Sequence, residues 1–256
     1  MGNLIEVHGM ELSSMPVGEY DRRIVLLTKE RGKIAAFARG ARRTNSPLMG
    51  VTRGFLFGTF QMYEGREYYV LKQANITHFF DEIVKDYNAI CYACYFAELA
   101  EYYARENLDA TDMINLLYVT FKALTKAVIP YSLIKCIYEL KIIALNGECV
   151  DLFTCKECQE EKNNIIGYVP NFQGVLCADC CNTTNNHVIS KIARIEMLQL
   201  SPSTVYALQY IVTSSIDKLY TFKLNDNCMK ELSEVIGVIR NSTIDREFKS
   251  LGMIVP

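Results

Sequence analysis

Two cysteine pairs constrain this chain more than anything else in it. Cys155-Lys-Glu-Cys158 and Cys177-Ala-Asp-Cys180 spell C-x2-C-x18-C-x2-C. Two thiols separated by two residues can occupy one corner each of a tetrahedron. Two such pairs about 15–20 residues apart complete the four-sulfur shell of a structural Zn²⁺, with no position left open for a reacting water. The stretch is expected to fold as a small metal-holding finger, the alternative being four free thiols in a reduced cytosol. One zinc per chain is expected. Cys149 and Cys181 lie close enough in sequence to leave the ligand set open, and Cys181 adjoins Cys180. A redox reading of the pairs is weaker, because neither is expected to follow a strand and open a helix.

The other cysteines read differently. Cys91, Cys94 and Cys136 fall on apolar helical faces, where they are expected as small packing residues, as is Cys228. Met1 to His8 has no basic start followed by an apolar run, so reduced thiols and a cytoplasmic setting are expected rather than disulfides. Half of the 256 residues are hydrophobic and 22% are charged, which excludes a disordered or low-complexity chain. The longest uncharged run, Met197 to Ile216, is interrupted by Gln199, Ser201, Pro202 and other polar residues, so no membrane span is expected.

The formal net charge of −2 hides an uneven distribution. Residues 1–60 carry nine Lys/Arg against five Asp/Glu, and the remainder 18 against 24. Arg22, Arg23, Lys29, Arg31, Lys33, Arg39, Arg42, Arg43 and Arg53 are opposed within their own stretch only by Glu30. Such clustering reads either as a solvated surface with scattered charges or as the footprint of a nucleic-acid-binding face. Lys29, Arg31, Lys33, Arg39, Arg42 and Arg43 fall at a turn, a strand and the following loop, and are expected to converge on one face. Phe37, Phe55, Phe57 and Tyr63 are nearby rings of the kind on which bases stack, although most are expected in the core.

The first 77 residues read as strands: Ile24 to Thr28, Lys33 to Ala38 after a tight turn at Gly32, then Phe55 to Tyr63 and Glu67 to Ile76 around Glu64-Gly65-Arg66. Five or six short strands suggest a small barrel or sandwich, of which an open five-stranded barrel of the OB type is the smallest common form; it is marginal alone, so docking on the next domain is expected. After Thr77 the hydrophobic period becomes helical. One helix is expected from Phe80 to about Asn107. A second is capped by Asp109 or Thr111. A third runs from Leu133 to Leu145 and ends at Asn146-Gly147. Residues 149–186 lack helical period. Helices resume near Ile189, at Ser201-Pro202 and over Met229 to Ile239. The fold class is α+β: an OB barrel at 1–77, then a helical domain at 78–256 with a zinc finger inserted at about 149–186.

Catalysis finds little support. His8, His78 and His187 lie outside any recognisable catalytic or metal motif, His78 being expected at a helix start. No phosphate-binding glycine loop or nucleophile elbow occurs. The chain is not expected to be an enzyme.

Several runs resemble one family in order along the chain. Gly18-Glu19-Tyr20-Asp21, Leu26-Leu27-Thr28-Lys29-Glu30-Arg31-Gly32-Lys33 and Ala38-Arg39-Gly40-Ala41-Arg42-Arg43 with Ser46 resemble the N-terminal domain of the RecO family of bacterial recombination mediators. Leu145-Asn146-Gly147, Asp151-Leu152, the cysteine pairs and Gly174-Val175-Leu176-Cys177 look like its middle region, and Arg246 to Leu251 looks like its C-terminal signature. Cys149 stands where the family often has proline.

The resemblance implies an OB domain followed by a helical domain with a zinc finger. It implies binding of single- and double-stranded DNA and annealing of complementary strands. It also implies help in loading RecA onto DNA coated with single-strand-binding protein (SSB). The implied partners are RecR, the C-terminal tail of SSB and, indirectly, RecA; the implied setting is the bacterial nucleoid. It makes Lys29, Arg31, Lys33, Arg39, Arg42 and Arg43 the DNA contacts and Cys155, Cys158, Cys177 and Cys180 the zinc ligands. Competing readings are a zinc-containing RNA-binding module of transcription or translation, a protein–protein adaptor, and a nucleic-acid enzyme whose zinc is structural.

Overall fold

The computed structural model describes residues 2–66, 68–182 and 196–254. The chain divides into two compact units, Met1–Val128 with Phe248–Pro256, and Ile129–Glu247. The boundary is expected at 77/78; strands give way to helices only after Phe79, the end of the fifth strand, and the first unit continues through three helices and takes back residues 248–256.

That first unit is built on a closed barrel with strand order β1-β2-β3-β5-β4. The strands are β1 (Asn3–Val17), β2 (Asp21–Thr28), β3 (Gly32–Ala38), β4 (Leu56–Glu64) and β5 (Tyr69–Phe79). All pairs are antiparallel except β3 with β5. The barrel is closed rather than open because β1 is long enough to serve two neighbours. Its first half pairs with β4 from Asn3↔Glu64 to Met10↔Phe57, and its second half with β2 from Gly9↔Thr28 to Val17↔Asp21. A bulge between Glu11 and Ser13 bends the strand where it changes partner. Gly9 sits at the crossing: a Cβ there would lie 2.5 Å from the Leu27 carbonyl oxygen. Alternation turns Val7, Ile24, Leu26, Ile34, Ala36, Phe60, Met62 and Leu71 into the lumen as the core.

Val25 and Leu27 point the other way from β2 yet are also buried, because helices cover that face. These are α1 (Asp81–Lys85), α2 (Tyr87–Tyr103) and α3 (Thr111–Lys126). The single helix expected from Phe80 is broken at Asp86. Its backbone is extended, and its carboxylate accepts from the amides of Asn88 and Ala89, starting α2 afresh. The barrel's need for docking is met within the unit: Phe121 of α3 packs edge-on against Phe55 and Phe80, and Tyr118 against Phe57. The returning C-terminal segment sets Phe248 against Tyr95 and Tyr102, and the Ser250 hydroxyl donates to Glu98.

In the second unit α4 (Tyr131–Leu145) is buried along almost its whole length and ends at Gly147, whose φ is +75°. A small sheet of order β7-β6-β8 joins Ile165–Val169 (β6), Gly174–Cys177 (β7) and Leu198–Gln199 (β8), with the one-turn helix α5 (Ala178–Asn182) after β7. Helix α4 packs with α6 (Pro202–Thr213) and α7 (Asp226–Thr243). The buried Glu139 is held by Lys135 at 3.2 Å and Arg240 at 2.9 Å, which offsets the cost of placing a carboxylate there. The helical pattern expected near Ile189, and His187, lie outside the described residues.

Candidate metal centre and nucleic-acid interface

The four paired cysteines meet. The sulfurs of Cys155, Cys158, Cys177 and Cys180 all lie within 4.8 Å of one another, and among the described residues no other group of three or more metal-ligating side chains converges. Four sulfurs about 2.3 Å from one ion sit about 4 Å apart, so the cluster has the size a tetrahedral site needs. Two knuckles bring it together. Residues 155–160 turn back on themselves, with the Gln159 amide donating to the Cys155 carbonyl and the Cys155 amide to the Glu160 carbonyl. Gln159 takes the left-handed φ of +58° that this requires. The second knuckle lies beside the first through the Lys156 amide, which donates to the Val175 carbonyl.

Sulfur chemistry favours a cation here. Burial raises the Cys155 thiol, but amides of Cys158, Cys177 and Glu157 outweigh it and bring the thiol down to about 7. Burial and neighbouring thiols push Cys180 up, and a divalent ion resolves that conflict by neutralising the crowded thiolates.

One expectation is corrected. The second pair does straddle a strand-to-helix junction, since Cys177 ends β7 and Cys180 lies in α5. The convergence of all four sulfurs, rather than their secondary structure, therefore argues for metal over redox chemistry. Cys149 and Cys181 stay outside the cluster. Cys149 is half-buried, and its thiol is pushed up to about 11 by that burial.

The six cations singled out on the barrel divide into two groups. Lys29, Arg31 and Lys33 surround the β2–β3 turn, which docks on the loop after α2. The Lys33 amide donates to the Arg105 carbonyl, and the Asn107 and Ala110 amides donate back to the carbonyls of Arg31 and Lys29. There Lys33 Nζ reaches the Glu101 carbonyl at 3.2 Å, and Arg31 pairs with Glu64 at 3.0 Å. Gly32 is required at this contact, because a Cβ would lie 2.0 Å from the Arg105 carbonyl oxygen.

Arg39, Arg42 and Arg43 form the second group, on the loop after β3, where all three are exposed. That loop is tied down by its backbone. Asp21 accepts from the Gly40 amide at 2.7 Å, and the Arg42 amide donates to the Tyr20 carbonyl at 2.8 Å. Arg42 also reaches the Gly18 carbonyl, and Arg43 lies over the Tyr20 ring at 5.1 Å. Arg39 is 3.5 Å from the Tyr68 hydroxyl, and Tyr68 meets Phe37 edge-on at 5.5 Å. Arg23 lies opposite Phe37 on the same side of the sheet. Arg22 instead donates to Ser14, and Arg53, at the far end of the loop, pairs with Asp81 and lies over Phe79.

The aromatic set changes as well. Phe55 is buried against Phe121, and Phe57 packs on Tyr118. Phe37 and Tyr63 keep partial exposure, with Lys72 over Tyr63. Tyr20 and Tyr68, exposed at 44% and 43%, are the rings beside the arginines, and sequence reading missed them as stacking residues. Their signal was an aromatic residue inside an otherwise polar turn. His78 lies at the end of β5, not at a helix start, and its Nδ1 is 3.2 Å from the Tyr118 hydroxyl. His8 pairs with Glu30 at 2.8 Å. No helix among the described residues is long and apolar enough to cross a membrane.

Near Arg53, where the loop runs into β4, lies Glu11, fully buried at the β1 bulge. One carboxylate oxygen accepts from the Gly54 amide at 3.0 Å, and among the described residues the other lies outside ordinary hydrogen-bond geometry. Burial dominates its titration and, against the Gly54 bond, the Arg22 charge and Ser14, raises its pKa to about 8.

Comparison with known proteins agrees along the whole length. A relative described as DNA repair protein RecO from Clostridium acetobutylicum is 25% identical over 98% of this chain and 97% of its own. One of the same description from Alkaliphilus metalliredigens is 28% identical over 97% of both, and one from a Thermoanaerobacter species is 27% identical over 98% of this chain and 97% of its own. The family model "Recombination protein O N terminal" matches residues 1–80 and "Recombination protein O C terminal" matches residues 84–252. With a five-stranded barrel at its start, a four-cysteine finger in its helical part and both models matched in sequence order, the chain belongs to the RecO family.

Proposed function

We propose that this protein is a recombination mediator that binds single- and double-stranded DNA, anneals complementary strands and helps place RecA on SSB-coated single strands together with RecR. The observation that carries this reading is the loop bearing Arg39, Arg42 and Arg43, set beside the exposed rings of Tyr20 and Tyr68 and held by Asp21 and Tyr20. Cations on a tethered loop meet phosphates without sequence preference, and adjacent rings take bases by stacking. Lys29, Arg31 and Lys33 serve as secondary contacts, since they also hold the docked turn. The barrel supplies the DNA face, and the second unit carries the finger expected at about 149–186.

Annealing requires no covalent step. A cationic surface lowers the repulsion between two phosphate backbones while leaving bases accessible. Cys155, Cys158, Cys177 and Cys180 would hold one Zn²⁺, which ties the two knuckles together and supplies no reaction. The protein works as a cytoplasmic, nucleoid-associated partner of DNA, RecR and the SSB tail.

The test is the annealing of complementary strands pre-coated with SSB. Acceleration by this protein supports the reading. No acceleration, together with tighter binding to RNA than to DNA of the same sequence, replaces it with an RNA-binding module.

A further inference from the structure

Annealing involves two strands, and the arginine loop accounts for one. The second unit carries a groove of about 540 Å³ along α6 whose walls include Pro202, Tyr206, Ala207, Tyr210, Phe222 and Lys223. Tyr206 is 68% exposed, yet its ring has a neighbour: it stacks on Tyr210 with centroids 6.1 Å apart and planes 28° apart. Phe222 meets Tyr210 edge-on at 5.5 Å, and the Tyr210 hydroxyl donates to the Lys218 carbonyl, so the platform is braced from below. Among the described residues the groove's lining includes one cation, Lys223, and no carboxylate. No residue of α6 is charged.

The rings of Tyr206, Tyr210 and Phe222 line the groove beside Pro202 and Ala207, and Tyr206 offers it an exposed aromatic surface. Near-parallel rings with a single cation beside them suit a planar base with a phosphate attached. We propose that this groove is a second single-strand site, in which a base stacks on Tyr206 and its phosphate meets Lys223. This rests on the annealing reading above, and it gives the protein a separate station for each of the two strands.

The experiment uses the full chain and an oligothymidylate carrying 5-iododeoxyuridine, which crosslinks to stacked aromatic residues on irradiation. Peptide mapping is expected to recover one crosslink at Tyr206 in addition to those in the barrel. Tyr206→Ala, an exposed position that the fold tolerates, is expected to weaken the second binding step about 5- to 150-fold, the range for loss of one base–aromatic stack. Tyr206→Phe keeps the wild-type value, and Lys223→Ala lowers the salt dependence of that step. The Arg39, Arg42 and Arg43 triple alanine variant keeps the Tyr206 crosslink. Its loss of the barrel crosslinks, or failure to lose them, judges the barrel site independently. Crosslinks confined to the barrel, with Tyr206→Ala annealing at the wild-type rate, overturn the proposal. So does an acidic apolar peptide that binds the groove without being displaced by oligothymidylate, which would make it a protein-docking site.

Discussion

Replacing Glu11 with Gln should change how the first unit responds to pH. The carboxyl is fully buried, gives one oxygen to the Gly54 amide, and has a pKa raised from 4.5 to about 8 mainly by burial. In the unfolded chain it titrates near its ordinary value. Below about pH 4.5 both states hold the proton and the group is neutral in the balance. Between there and about pH 8 the unfolded chain releases the proton while the folded one keeps it, so stability falls as pH rises. At about 1.4 kcal/mol per unit, the loss reaches about 3 kcal/mol at pH 7 and about 4–5 kcal/mol above pH 8, as an upper figure. Glutamine keeps the carbonyl that receives the Gly54 N–H and stands in for the neutral acid, with two N–H donors where the acid has one O–H. The assay is urea unfolding followed by circular dichroism at pH 5, 6, 7 and 8. The variant-minus-wild-type difference cancels the other titrating groups. Stabilisation by the variant is expected to grow across that range. Parallel curves for the two proteins would refute the buried-acid argument.

The remaining perturbations have equally direct readouts. Cys155→Ser removes a buried corner of the cluster; metal content is expected to drop from one zinc per chain to none, with loss of amide protection in β6 and β7, as chelation of the wild type should also produce. Gly32→Ala places a Cβ against the Arg105 carbonyl oxygen at a φ of +59°, so unfolding measurements should show a cost of more than about 2 kcal/mol. Glu231 caps α6 by accepting from the Ser201 amide and hydroxyl and the Thr204 hydroxyl. Burial raises its pKa, but those bonds lower it more. Its stabilisation is therefore present above the ordinary carboxylate pKa and lost as pH falls below it. Glu231→Ala should cost about 1 kcal/mol at neutral pH after allowance for solvent screening, with the difference vanishing on acidification.

What could be read in advance depended on how local the cause was. The cysteine spacing was legible because the knuckle geometry is written in adjacent residues. Helices α3, α4 and α7 were legible because their apolar faces lie within them, although the N-cap of α3 is Ala110, which makes no side-chain cap bond, rather than Asp109 or Thr111. The length of β1 was not, because Asn3–Val17 alternates poorly and its two halves answer to different partners, β4 and β2. The break at Asp86 was hidden because apolar spacing continues on both sides of it. The division of the six cations depends on the β2–β3 turn meeting residues 105–110, a contact between segments far apart in sequence. Tyr20 and Tyr68 joined the site only because the loop after β3 folds back between their turns.

The central claim is that the arginines on the barrel loop hold DNA through its phosphates. Its most direct measurement is the salt dependence of binding to a labelled single strand, compared between the wild type and the Arg39, Arg42 and Arg43 triple alanine variant. The wild-type slope of log K against log salt should be steep. The variant should bind more weakly to every sequence, with the slope reduced by about 0.7 for each phosphate that no longer meets an arginine, or about 2 in total. A folded variant with unchanged affinity and slope would contradict the account and move the DNA face away from this loop.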